Sequence, residues 1–350
     1  MNSPEIAWFG ALCDDDYEQL GVATPGLESS FAHCHDIVRT AEEEGFDSVL
    51  LPSGYHVGLD TTAMAAALAV TTSRIKLLMA VRVGENWPPQ LARQIATLQH
   101  LAPGRLDINI ISSEMAGEHV PSAERYRRTV EVMKILDDLG NARSTDFAGE
   151  FFQITAPAPR IAAPPRAPFY FGGLSEEARD TAAQMADVYL MWPDTEERVA
   201  ELIGDLRARA AAYGRRVRFG YRVHVVVRET EREARAAAQY LVAALDDELG
   251  DRIRAKSLDA QSSGVTRQGE LRGGSNDEGY AEDILWTGIG RARSGCGAAL
   301  VGSPEQILAK INRYQELGIE AFIFSGYPHV DECRRFGQLV LPRLSHGALR

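Results

Sequence analysis

Residues 217–227, VRFGYRVHVVV, form a β-branched and aromatic run followed by a stretch near 231–247 rich in alanine and charged residues. The first half reads as a buried strand and the second as a helix, so the pair is one strand-then-helix unit. Working outward, the same unit recurs along the chain. IAWFGAL (6–12) precedes a helix near 29–45, DSVLLPS (47–53) one near 60–73, IKLLMAV (75–81) one near 89–101, and RLDINII (105–111) one near 122–139. PFYFGG (168–173) leads into a helix from Ser175, and DVYLMW (187–192) into one near 196–213. EAFIFSGY (320–327) follows a helix near 304–317 and precedes a helical stretch at 330–340. Eight such units in order predict a single (β/α)8 TIM barrel spanning 1–350, with an open doubly wound sheet as the alternative.

Two stretches interrupt the rhythm. Residues 140–166 exceed a simple connection, and FAGEFFQIT (147–155) predicts a small hairpin turning at Gly149 before a proline-rich return. Residues 249–298, including QSSGVTRQGELRGGSNDEGY, combine glycine, serine and charge with few apolar anchors, which predicts partial mobility. A lid over a site and a surface excursion without a role are both open readings of it.

Composition narrows the function class. The 350 residues are 45% hydrophobic and 25% charged, as in an ordinary globular chain, and the net charge of -12 argues against a nucleic-acid partner. Cys13, Cys34, Cys296 and Cys333 show no metal-ligand spacing, so reduced thiols and no metal site are expected. No segment approaches eighteen apolar residues and the start lacks a signal-peptide pattern, which points to a cytoplasmic protein with no membrane association.

In a barrel, chemistry gathers where strands end. Those positions here are polar: Tyr55 and His56, Arg82, Ser112 and Ser113, Gly172, Gly173 and Ser175, Trp192, Arg222 and His224, Tyr327 and His329. Arg222, His224 and Val226 alternate and so share one face of their strand. A buried guanidinium needs a partner, and either an internal acid, Asp107 foremost, or an anionic ligand would serve. Arginine presents a planar fork suited to carboxylate, phosphate or sulfonate. FGGLSEEA (171–178) offers glycines and a helix start where a phosphate fits, although Ser175 followed by acids also reads as a plain cap. ISSEMAG (111–117) suits close approach to a flat ligand or a simple turn. In ERYRR (124–128), Tyr126 and Arg127 are expected toward the barrel mouth and Arg125 and Arg128 toward solvent. Trp192 is either a rigid wall or core, and GRARSGCG (290–297) brings Arg291 and Arg293 near the return into the barrel. No GxSxG, HExxH, Walker loop or paired catalytic carboxylates occur, so the chemistry falls to a cofactor.

ARQIATLQHLAPGRLDINIISS (92–113), ERY (124–126), PFYFGGLS (168–175), DVYLMW (187–192), RFGYRVHVVVRET (218–230), GCGAALVGSP (295–304) and FIFSGYPHVDE (322–332) together resemble the bacterial luciferase-like flavin monooxygenases, over nearly the whole chain. The likeness is greatest to the two-component, FMNH2-dependent alkanesulfonate monooxygenases. It implies reduced FMN supplied by a separate NAD(P)H-dependent flavin reductase, and oxidative cleavage by O2 of a carbon–sulfur bond in an organosulfonate, giving sulfite and an aldehyde. It also implies association into a homo-oligomer through barrel helices. Carried onto matching positions, it assigns Arg222, His224 and Trp192 to the sulfonate pocket, with Arg293 joining on closure and Tyr327 nearby. Gly172, Gly173, Ser175 and Tyr126 would hold the FMN phosphate, and Ser112 and Ser113 would line the isoalloxazine.

The chain departs from that pattern where the family carries a cysteine after the second strand and a histidine in the first strand-end loop. Here the stretches read SGYHVGLDTT (53–62) and GALCDDDYE (10–18). Extra hydrogen-bonding groups at Tyr55, His56 and the acids favour a polar sulfonate such as sulfoquinovose over an alkanesulfonate. An F420-dependent hydride transferase, a sulfone monooxygenase and a non-catalytic anion-binding barrel are the alternatives.

Overall fold

The computed structural model describes residues 3–12, 15–54, 58–115, 117–255, 262–293 and 295–349. Tyr55 and His56, singled out above, and Cys13 lie outside them. In chain order the elements begin β1 (Glu5–Phe9), α1 (Phe31–Glu44), β2 (Ser48–Leu51), α2 (Thr61–Thr71), β3 (Lys76–Arg82), α3 (Pro88–Leu101), β4 (Leu106–Ile111) and α4 (Ser122–Gly140). They continue with β5 (Thr145–Ala148), β6 (Gln153–Ala156), β7 (Phe169–Phe171), α5 (Glu176–Met185), β8 (Val188–Met191), α6 (Glu196–Ala212), β9 (Arg218–Val227) and α7 (Glu231–Leu241). The last part holds α8 (Asp247–Ala255), α9 (Ser263–Gly273), β10 (Tyr280–Glu282), β11 (Leu285–Trp286), β12 (Ala299–Gly302), α10 (Pro304–Leu317), β13 (Ala321–Ser325) and α11 (His329–Leu339).

Eight strands close a ring in the order β1, β2, β3, β4, β7, β8, β9, β13, every pairing parallel, and β13 returns to β1 with Glu5 opposite Ala321. That last pairing makes the sheet a barrel and excludes the open alternative. β1, β2, β3 and β8 are buried at every residue, as strands covered by helices outside and side chains inside must be. The seam between first and last strands is closed from outside by an aromatic stack in which Phe336 of α11 lies 5.7 Å from Phe46 and 4.6 Å from Phe324. Helix starts follow their sequence signals: Thr230 with Glu233, and Ser303 with Gln306, each form a reciprocal capping box.

The expected hairpin is β5 paired antiparallel with β6, turning through Gly149, whose N–H donates to Phe152 O at 2.9 Å. Glu131 of α4 docks it by accepting the N–H groups of Glu150, Phe151 and Phe152. β12 is a strand the sequence reading did not assign. It pairs in parallel with β9 from His224 to Val227, beyond the segment of β9 that β8 covers. The 249–298 stretch contains part of α8, α9 and the β10–β11 hairpin, anchored by buried Leu271, Ile284, Leu285, Trp286 and Ile289.

The floor of the barrel, at the strand N-termini, holds a buried polar cluster. Lys76 Nζ lies 2.5 Å from Asp107 and 3.3 Å from Glu5, while Ser48 and Tyr170 donate to Glu5. Asp107, the acid offered above as a partner for Arg222, is therefore engaged by Lys76. Burial pushes Asp107 up to about 6 against the pull of Lys76, with Glu5 adding to the rise. Removing the ammonium strands two buried carboxylates. Lys76→Met is expected to lower unfolding free energy at pH 7 by about 3–5 kcal/mol, measured by urea titration.

Candidate active site

At the opposite end, the C-termini of β1, β9 and β13 bring together side chains far apart in sequence. Arg222 and His224 are 4% and 2% exposed. The Arg222 guanidinium lies over the Phe9 ring at 4.4 Å from its centroid. Phe9 stacks on His329 at 5.8 Å, His329 meets Tyr327 edge-on at 4.9 Å, and Tyr327 stacks on His224 at 5.6 Å. Contacts thus run from Arg222 round to His224, two positions along the same strand. Arg293 adds a second guanidinium, 5.8 Å from the Tyr327 centroid. An arginine on an aromatic face keeps its charge while shedding water, which prepares it for an anion.

Protonation follows from this crowding. His224 Nδ1 is 2.6 Å from Ser325 Oγ. Burial, reinforced by Arg222 and His329, holds the His224 imidazole well below its usual range. For His329, burial outweighs nearby Asp16, and Arg222 and Arg293 add to the fall, bringing it to about 4. Both imidazoles are neutral at pH 7. Burial pushes Tyr327 up to about 12 despite Arg293, so it keeps its hydroxyl proton. Among the described residues His329 Nδ1 has no hydrogen-bond partner although the residue is 1% exposed. Behind it, Asp16 accepts from His329 N at 2.8 Å and sits 3.0 Å from His33 Nε2.

Beside this aromatic ring lies a cavity of about 250 Å³ lined by Asn109, Ser112, Ser113, Tyr126, Gly172, Gly173, Trp192 and Arg198, with Gly264, Arg267 and Gln268 of α9 on its outer side. Its narrow turn after β7 requires glycine. A Cβ on Gly172 would stand 2.3 Å from Leu190 O, and Gly173 has φ +140. Tyr189 donates to Gly173 O at 2.6 Å and fixes the turn. The opposite wall, Trp192 through Asp194, is pinned from below: Tyr221 and Tyr314 hydroxyls lie 3.3 and 3.2 Å from Asp194 O. Serine, tyrosine and asparagine groups with two arginines, Arg198 and Arg267, around a glycine turn at a helix start, form a donor set suited to a phosphorylated, planar cofactor.

The pattern described as luciferase-like monooxygenase matches residues 14–321. The chain belongs to the luciferase-like monooxygenase family. Within it, the chain is 60% identical to a sulfoquinovose monooxygenase of Novosphingobium aromaticivorans, covering 99% of this chain and 98% of that protein. It is 48% identical to a sulfoquinovose monooxygenase of Agrobacterium fabrum, over 98% and 90%. A riboflavin lyase solved with modified FMN and riboflavin superposes with a TM-score of 0.79 at 18% identity, over 99% of this chain and 94% of that one, which supports the shared fold.

In this luciferase-like monooxygenase the residues expected from sequence fall into two groups. Arg222, His224, Arg293 and Tyr327 meet in the ring. Ser112, Ser113, Tyr126, Gly172 and Gly173 meet in the cavity, and Trp192, expected with the sulfonate residues, lines the cavity too. Ser175 caps α5 by accepting from Ala178 N at 3.2 Å and is not on the cavity lining, while Glu176 and Glu177 are exposed. In ERYRR, Tyr126 lines the cavity as expected, but the three arginines are placed otherwise. Arg127 is exposed and pairs with Glu150, whereas Arg125 and Arg128 are mostly buried and hold Glu114 and Glu118 in the loop after β4. Helix phase is the reason: Thr129, Val132 and Met133 define the inward face of α4, and positions 125 and 128 flank it while 127 does not. Arg82 is buried and donates to Glu114 O and Ser53 O, tying two strand-end loops together.

Phe9, Ser325, Asn109 and Arg198 were missed by sequence reasoning. Phe9 carried a signal, an aromatic at the end of the first strand. His329 was noted without a role. Among the described residues there is no metal-ligating cluster and no helix long and apolar enough to cross a membrane, and Cys34, Cys296 and Cys333 are free thiols.

The depressed His329 pKa fixes a sign. The unfolded chain takes up a proton near pH 6.5 that the native site refuses until about 4, so acidification through that window costs stability. The cost is about 3 kcal/mol at its limit. His329→Asn is expected to flatten that slope in urea titrations run from pH 7 to 4.

Proposed function

We propose that this enzyme is the oxygenase of a two-component system that desulfonates sulfoquinovose or a closely related sulfonated sugar, using reduced FMN from a separate flavin reductase. The observation that carries the reading is the ring: two guanidiniums, two neutral buried imidazoles and a tyrosine linked by successive aromatic contacts at the barrel mouth. The names of the 60% and 48% identical relatives support the substrate class.

FMN fits the cavity residues in chemical type. Tyr126, Arg198 and the backbone of the Gly172–Gly173 turn would hold the phosphate end, and Asn109, Ser112 and Ser113 would face the isoalloxazine. When bound, the reduced cofactor supplies two electrons that, with O2, convert R–CH2–SO3⁻ into R–CHO and sulfite, one oxygen atom leaving as water. The chain's own part is binding, orientation and dryness. Arg222 and Arg293 grip the sulfonate, which stays anionic at any physiological pH. His224, neutral and in contact with Ser325 through Nδ1, borders the sulfonate without adding charge. His329 Nδ1 and the Tyr327 hydroxyl are placed to bond sugar hydroxyls, a use that a plain alkyl chain would leave unfilled. Enclosure by Phe9, Tyr327 and Trp192 lowers the local dielectric and strengthens each of these interactions.

The reading extends to a cytoplasmic homo-oligomer, checked by light scattering and fractionation. Sulfite release is the test of function: enzyme, flavin reductase, NADH, FMN and O2 with sulfoquinovose, alkanesulfonates and a sulfone. Sulfoquinovose is expected to give the highest kcat/KM. Oxidation of the sulfone alone, or binding of F420H2 in preference to FMNH2, overturns the reading. Arg222→Ala is expected to lower kcat/KM by about 30- to several-thousand-fold, corresponding to roughly 2–5 kcal/mol for truncating one partner of a buried ionic hydrogen bond. Its circular dichroism and flavin affinity are expected to stay near wild type.

A further inference from the structure

We infer that Gln268 is a positioning residue that couples the cofactor cavity to the anion-binding ring, so that each ligand tightens the other. The inference rests on the assignment above of flavin to the cavity and sulfonate to the ring. Gln268 is 6% exposed, and both ends of its amide are used. Nε2 donates to Pro193 O at 2.8 Å, and Oε1 accepts from Gly297 N at 3.0 Å. A carbonyl on one side and an N–H on the other leave only this orientation of the amide.

The two bonded groups belong to the two sites. Pro193 follows Trp192 on the cavity wall, and α9 presses that wall closely enough that a Cβ on Gly264 would stand 2.8 Å from the indole. Bidentate pairing of Arg267 with Asp194, at 2.7 Å for each contact, keeps α9 seated there. Gly297 belongs to the loop entering β12. Its neighbours touch β9 at the ring: Cys296 Sγ lies 3.5 Å from Arg222 O, and His224 N donates to Ala298 O at 3.1 Å. One buried amide thus joins the wall that would flank a bound flavin to the backbone that carries Arg222 and His224. A ligand that orders Trp192 and α9 orders Gly297 through Gln268, and the reverse holds by thermodynamic reciprocity.

The test is anaerobic binding, independent of turnover. FMNH2 affinity is measured with and without saturating sulfoquinovose, in wild type, Gln268→Met and Gln268→Glu. Met keeps the bulk and loses both bonds; Glu keeps the acceptor for Gly297 N and loses the donor, which covers the case in which the first variant does not fold. Wild type is expected to show at least about fivefold mutual tightening, and the variants less than about twofold. The coupling factor is expected to fall by more than the affinity for either ligand alone, a split that loosened packing would not produce. A wild-type factor near one, or an undiminished factor in the variants, overturns the coupling. If that happens in an enzyme that releases sulfite, the functional reading stands; if wild type neither binds sulfonate nor releases sulfite, both fall.

Discussion

A guanidinium held against an aromatic face, away from water, is the interaction around which the site at the barrel mouth is arranged. Arg222 occupies that position on Phe9, with 4% of its surface exposed. Desolvating a permanent charge is costly, and the barrel limits the cost by sorting its charges along its axis. The floor settles its own: Lys76 engages both Glu5 and Asp107. At the mouth Arg222 and Arg293 lie against the rings of Phe9 and Tyr327, and the imidazoles beside them stay neutral. Two guanidiniums thus meet at one end of a chain whose net charge is -12, so global charge says little about a local site.

Most of the barrel was legible in the sequence because strands covered on both faces appear as unbroken apolar runs. Gly149 marked the hairpin for an equally local reason. β12 escaped because ALVG follows a loop instead of a helix, so it does not continue the strand–helix alternation that marks the strands of the ring. The apolar anchors of the 249–298 stretch are scattered singly among glycines and charges, apart from ILW at 284–286, and their burial depends on neighbours distant in sequence.

For the site, residue chemistry at strand ends was readable, and partnership was not. That Arg222 and His224 share a face follows from strand period alone. That Phe9 carries the guanidinium, that Asp107 is already engaged, and that Trp192 belongs to the cavity depend on which strands meet around the ring. The error at Arg125, Arg127 and Arg128 was one of helix phase, which the downstream apolar positions of α4 would have corrected.

The pinned wall of the cavity has a consequence for how such an enzyme diversifies. Asp194 is held through its carbonyl by Tyr221 and Tyr314 and through its carboxylate by Arg267, so drift there would unsettle the core of the barrel along with the pocket. The ring side is joined mainly through aromatic faces, with the His224–Ser325 contact and the His329 N–Asp16 bond as its polar ties, so an exchange at Tyr327 alters the pocket without removing a hydrogen bond of the opposite wall. New substrate tastes in this lineage should therefore arise on the ring's side of the mouth, with the opposite wall kept as inherited masonry.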